Sequence, residues 1–305
     1  MKRREIKKTA KKLLKGNWKV AILNLIIISV LTSVISQGIL TVIGAGSSFT
    51  MIESVIEGNV YDSTVMAEPT ITASLLTFLI STLVGFVSSL MYAGYAWNIL
   101  DRIDGAKLSI EGMFQTFRKE RIFKATGLVI VMSILITLWS LLFIIPGIIK
   151  SYSYSQALNI MRDNPAISIM DALDQSRKMM KGKKWSFFLL QLSFVWLYIV
   201  PFLVYVLILF GSVQTIEARL DAGPNEGIAI IIGFLLLFLV FVLLALVLSF
   251  YIEPYRRTAQ QVFYRTLTDG DTFNPFHTDY HEKEHQSEEK YNEEYEGRQL
   301  DDVDF

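Results

Sequence analysis

Long apolar stretches alternate along the chain with shorter polar ones rich in lysine and arginine. Five apolar stretches can be read directly: Val20 to Ala45, Ile71 to Leu100, Ala125 to Ile149, Ser186 to Gly211 and Ile228 to Ile252. Each exceeds the roughly 20 residues that cross ~30 Å of hydrocarbon at 1.5 Å per residue, so the pattern predicts membrane helices. The first follows a basic start (Lys2, Arg3, Arg4, Lys7, Lys8, Lys11, Lys12, Lys15, Lys19) but is too long for a secretory signal and ends without a small-residue cleavage site. It reads as an uncleaved span.

Lysine and arginine orient the spans. Gly46 to Thr70 holds Glu53, Glu57, Asp62 and Glu68 and no basic residue, which places it outside and the N-terminus inside. With five spans, the segment Arg162 to Trp185, carrying Arg162, Arg177, Lys178, Lys181, Lys183 and Lys184, would fall outside, against the positive-inside rule. A sixth crossing restores parity. The expected place for it is Ile148 to Met161, returning after a tight turn at Pro146-Gly147. About 15 helical residues reach only ~22 Å, however, so a short helix packed inside the bundle and a re-entrant hairpin stand as alternatives to a full fourth span.

The expected fold is therefore all-α: a polytopic membrane bundle of six helices, arranged as three hairpins with amphipathic surface helices on the cytoplasmic side. Its membrane domain covers residues 1–268, with spans near 20–45, 71–100, 125–146, 148–162, 186–211 and 228–252. An acidic cytoplasmic tail, 269–305, follows. Both termini lie inside a multi-pass protein of the cell membrane.

Composition agrees with that picture. The 305 residues are 52% hydrophobic, with a mean hydropathy of +0.40 and no cysteine, which excludes disulfides, thiolate metal sites and a catalytic thiol. The net charge of zero is a cancellation. The tail from Asp269 carries 13 acidic and 3 basic residues, leaving 26 basic and 16 acidic before it. By side, the six-span assignment sets 27 basic residues inside and only Lys150 and Arg219 outside.

Each inner segment leads into its span through an amphipathic stretch. Ile6, Ala10, Leu13, Leu14 and Trp18 form the first, and Ile110, Met113, Phe114 and Phe117 the second. In the third, Asp163-Asn164 is expected to cap, Pro165 to start the helix and Gly182 to end it, with Ile167, Met170, Leu173 and Met180 on the apolar face. Leu14-Lys15-Gly16-Asn17-Trp18 and Met180-Lys181-Gly182-Lys183-Lys184-Trp185 end alike, which suggests a unit of surface helix plus two-span hairpin used three times, although basic interfacial helices with tryptophan at headgroup depth explain most of the likeness. Lys15, Trp18, Lys183, Lys184 and Trp185, with Arg256 and Arg257 beyond the last span, are the expected contacts to anionic lipid headgroups. Glu253-Pro254 is expected to break the last helix, leaving Tyr255, Ala259, Val262, Phe263 and Leu267 as an interfacial face.

Candidate chemistry is sparse. No H-E-x-x-H, G-x-S-x-G or Walker A pattern occurs, and the span interiors hold no carboxylate or histidine to act as acid or base. No catalytic, cofactor or metal residue is assigned. His277, His281 and His285 are spaced for one helix face but sit in the polar tail, where incidental histidines are the better reading. Lys150, Tyr152, Gln156 and Asn159, with Tyr154, form a polar stripe in the fourth span, read first as helix packing and second as the wall of a polar cavity. Gly85, Ser89 and Ala93 form a small-residue row expected to mark close helix contact.

Asp163, Asn164 and Pro165, then Ser168, Asp171, Ser176 and Gly182, together with the Lys15-Gly16-Asn17-Trp18 and Ile145-Pro146-Gly147 motifs, resemble the bacterial integral membrane proteins grouped as domain of unknown function 975. The resemblance covers roughly Met1 to Asp269, and there is a more distant similarity to the membrane domain of some glycerophosphodiester phosphodiesterases. It implies a Gram-positive cytoplasmic-membrane protein with no assigned activity.

The expected function is non-enzymatic: envelope or lipid homeostasis, or an accessory role in a membrane complex. Anionic bilayer lipid is one expected partner, and a protein met through the acidic tail another; nucleic acid is not expected. The rival from another class is a transporter or permease whose polar path is lined by the fourth span. A lipid-modifying enzyme, using Asp163, Asp171 or Glu253, has least support.

Overall fold

A computed structural model describes residues 2–42, 71–220 and 224–270. The segment 43–70, with the outer acidic loop, and the segment 271–305, with the three histidines, lie outside the described residues. The described residues form helices joined by turns and short irregular connections, such as residues 106–109, with no strand among them. The order is α1 (Arg3–Leu14), α2 (Trp18–Val42), α3 (Ile71–Ile103), a 3-10 helix (Glu111–Phe117), α4 (Lys119–Leu142), α5 (Ile144–Tyr154), α6 (Ala157–Asp163), α7 (Ile169–Met179), α8 (Lys184–Leu220) and α9 (Pro224–Thr268).

Five of these, α2, α3, α4, α8 and α9, are long and apolar enough to cross a membrane. Their apolar windows are barely buried within the protein, none of it in α9 and little in α8. The packed core sits instead at one end of the bundle, where α1, the 3-10 helix, α6 and α7 gather around the last turns of α3 and α9 and the first turns of α8. Trp97, Tyr95, Tyr264, Phe194, Met113 and Met180 are fully buried there.

The first amphipathic stretch forms α1 as expected, with Ile6, Ala10, Leu13 and Leu14 buried. Its apolar face lies against protein, chiefly α9, rather than lipid. Tyr255 Oη donates to the Lys7 carbonyl (3.1 Å), and Lys7 Nζ donates to the Ser193 carbonyl (3.1 Å) over the Phe194 ring. One lysine of the basic face is thus turned inward, and burial, then the charge of Arg3, lowers its pKa.

The second stretch differs more. It is a 3-10 turn seated on α3, with Met113, Gln115 and Thr116 buried and Ile110 and Phe114 partly exposed, at 38% and 39%. Two glycines create the seat: a β-carbon on Gly94 would overlap the Met113 carbonyl, and one on Gly112 would overlap the Asn98 side chain. Close backbone approach occurs at Gly94; of the row Gly85-Ser89-Ala93, Gly85 faces open space and Ser89 is exposed, while Ala93 is buried.

The turn expected after Pro146-Gly147 falls earlier, at Phe143, which is extended (φ −158°, ψ 143°). Pro146 occupies the first turn of α5, where its missing N–H costs nothing. Gly147 lets α5 run back against α4, because any β-carbon there would overlap Ser140. The return is broken at Ser155 and Gln156 into α5 and α6.

Likewise, Asp163 and Asn164 end α6 rather than cap α7. Ser168 is the N-cap, its Oγ accepting the Asp171 N–H at 3.1 Å, a better placed hydroxyl because Pro165 and Ala166 remain in the connecting turn. Of the predicted apolar face, Leu173 and Met180 are buried and Met170 is 64% exposed; Ala172 and Ser176 take its place. Gly182 ends the unit at φ +75°, matching Gly16 at φ +84° before α2, so the two similar motifs share a left-handed glycine ahead of a long helix. Finally, α9 continues through Pro254 without a break, and Tyr255, Ala259, Val262 and Phe263 pack on α1 and α8 instead of an interface.

Candidate functional site

The break between α5 and α6 frees backbone groups, and α7 supplies a side chain to meet them. Ser176 Oγ donates to the Ser153 carbonyl (2.8 Å) and accepts the Gln156 N–H (3.2 Å). The polar stripe closes on itself beside it: Asn159 Nδ2 donates to Gln156 Oε1 (3.0 Å), and Gln156 Nε2 to Ser155 Oγ (3.0 Å). Gln156 and Asn159 are buried, while Tyr152 meets Phe187 and Phe188 of α8 edge-on. Gln156 and Asn159 thus bond to one another and to Ser155 at the break, while Ser176 ties the break to α7.

Below the break lies a network of charge that the sequence did not expose. Arg162 binds Asp101 (2.5 Å), Asp104 (2.8 Å) and Asp163 (2.7 Å), and Arg265 binds Asp104 (2.6 Å) and Asp163 (2.7 Å). Tyr264 Oη donates to Asp163 at 2.7 Å, and Gln115 Nε2 to Asp101 at 2.9 Å. Burial disfavours the Arg162 charge, but its bonds to Asp101 and Asp104 outweigh that and raise its pKa. The network clamps the ends of α3, α6 and α9 around a cavity of about 730 Å3. Its only sequence signals were Asp101 and Asp104 one turn apart and an arginine at the end of each facing helix.

A second cavity, about 420 Å3, is lined by Lys150, Ser153, Asp174, Arg177, Lys178, Lys181 and Lys184. Five cations meet one carboxylate, and Asp174 is itself engaged by Lys178 (2.8 Å) and Arg177 (3.6 Å). Lys150 lies over the Trp139 ring, 4.3 Å away. The cavity therefore joins a strong positive potential to the apolar flank of the α4–α5 hairpin, where Ile148 and Ile149 are about half exposed. An anion with an apolar body fits such a wall.

The other expected residues fall in place around these two sites. Lys124 Nζ donates to the Pro165 carbonyl (2.7 Å), and the Asn164 N–H to the Ile160 carbonyl (2.9 Å). So Asp163, Asn164, Pro165, Ser168, Asp171, Ser176 and Gly182 each carry a local structural task. Lys15, Lys183 and Trp185 are exposed, while Trp18 stacks on Tyr251 (4.9 Å). Arg256 and Arg257 turn onto Glu253 (2.6 and 2.7 Å), and Arg257 covers the Tyr92 ring. Among the described residues no group of three His, Cys, Asp or Glu could hold a metal.

With no strand among the described residues and five helices long and apolar enough to cross a membrane, the chain is a multi-pass membrane protein by class. Within that class its family is defined: residues 1–271 match the model described as Protein of unknown function (DUF975), and the chain belongs to that family. No curated protein and no solved structure matches it.

Proposed function

We propose that the protein is a non-enzymatic component of the cytoplasmic membrane that acts on the lipid phase, in envelope or lipid homeostasis, by holding anionic phospholipid at its inner face. Both termini then lie inside, and the chain crosses an even number of times. The observation that carries this reading is the cavity of Lys150, Arg177, Lys178, Lys181 and Lys184 beside exposed apolar helix. Cationic pockets at the ends of membrane helices bind lipid phosphate. Asp163, Asp171 and Glu253 are each committed to bonds with neighbours, which supports binding over acid–base catalysis.

The purified protein in neutral detergent is expected to be stabilised by phosphatidylglycerol and not by phosphatidylcholine. Lys181→Gln with Lys184→Gln should remove most of that difference and leave the lipid-free melting temperature unchanged. Equal stabilisation by the two lipids overturns the proposal.

A further inference from the structure

We propose that α4 and α5 form a re-entrant hairpin: it enters the bilayer from the side that carries the packed core and stops near the midplane, its tip solvated by the acyl chains of one leaflet. The membrane is then crossed fully by α2, α3, α8 and α9.

Lengths measured from a shared level point to this. Arg162 is bonded to Asp101 at 2.5 Å, which sets the end of α6 beside the end of α3. From Asp101, α3 runs 30 residues to Ile71, about 45 Å, whereas the chain from Arg162 returns 19 residues to Phe143, about 28 Å at most. The edge of the bilayer lies above that level. Arg257 sits over the Tyr92 ring at 4.0 Å and pairs with Glu253, so charge reaches about 13 Å up α3 from Asp101. Beyond Tyr92, α3 has 21 residues, about 32 Å, which matches ~30 Å of hydrocarbon. The hairpin has about 15 Å left, half of it.

Charge and exposure agree independently. The two arms share one charge-free run, Ala125 to Ile149, 25 residues, where α9 alone has 26 from Gly227 to Ile252. Two full crossings need about 40. Lys150, seven residues past the tip, lines the same cavity as Lys181 and Lys184. A hairpin crossing the whole bilayer would carry Lys150, and those lysines with it, toward the opposite face. The tip itself, Leu141 to Ile145, is 65–78% exposed and wholly apolar, a surface that acyl chains cover and water does not.

The test uses the full-length protein, which has no cysteine to remove. Nitroxides are placed one at a time on Ile130→Cys, Ile134→Cys, Leu138→Cys and Phe143→Cys in phosphatidylglycerol/phosphatidylcholine vesicles, and depth is read from oxygen against nickel-chelate accessibility. Depth is expected to rise steadily from 130 to a maximum at 143. A maximum near 134 that falls again by 143 overturns the hairpin and restores a full crossing. The assay does not depend on lipid preference, so its failure is distinct from failure of the anionic-lipid reading.

Discussion

At the scale of single residues, the fold depends on a few small side chains at close contacts rather than on its many apolar ones. Ser176 answers two backbone groups across the α5–α6 break, and removing it strands both in a buried place. Ser176→Ala is expected to lower stability by about 1–3 kcal/mol, read as a drop in melting temperature in detergent, while Ser151→Ala, whose hydroxyl bonds only within its own helix, should change little. Gly94 makes a stricter demand, because what lies against it is backbone. Gly94→Ala must push the 3-10 helix off α3 and is expected to cost about 1–3 kcal/mol, whereas Gly85→Ala, facing open space, should be neutral. The small-residue row in the sequence singles out Gly85 and passes over Gly94. Small-residue spacing identified the wrong one because it records where a helix can approach another, and only the placement of the partner decides where it does.

At the scale of elements, hydropathy identified every long helix, since apolar length is a property of the segment alone. What it could not supply was the partner of each amphipathic face. The faces of α1 and of the last turns of α9 were legible as stripes, Ile6-Ala10-Leu13 and Tyr255-Ala259-Val262, and they bury each other and α8 rather than lipid. A periodic stripe specifies that something apolar covers it; protein and membrane leave the same mark. The clamp of Asp101, Asp104, Arg162, Asp163 and Arg265 was illegible for a related reason, its members lying up to 164 positions apart on three elements. Local punctuation fared better. Gly182 and Gly16 were expected to end their units, and both adopt positive φ. Gly16→Ala and Gly182→Ala are each expected to cost about 1 kcal/mol through backbone strain alone, since neither site has a neighbour within contact range, and Asn should be tolerated better than Ala at both.

At the scale of the whole molecule, the packed core and the apolar spans occupy different solvents. The core end carries the lysines and arginines of α1, the α3–α4 connection, α7 and the last turns of α9, and the proposed function requires that end to face the cytoplasm, as the positive-inside rule favours. The same proposal requires the segment with Glu53, Glu57, Asp62 and Glu68 to face outward. A chain with four crossings and a re-entrant hairpin keeps both termini on one side, as one with six crossings would, so terminus mapping tests the orientation independently of the hairpin. In right-side-out vesicles, an impermeant maleimide is expected to label Glu57→Cys at once and to leave Gln175→Cys and Lys290→Cys unlabelled until the membrane is opened. Labelling of Gln175→Cys from outside would invert α7 and place the basic cavity on the wrong face for an anionic inner leaflet. Labelling of Gln175→Cys and Lys290→Cys together would mean that the hairpin crosses once, because both positions follow it, whereas labelling of Lys290→Cys alone would mean that α8 and α9 together cross only once.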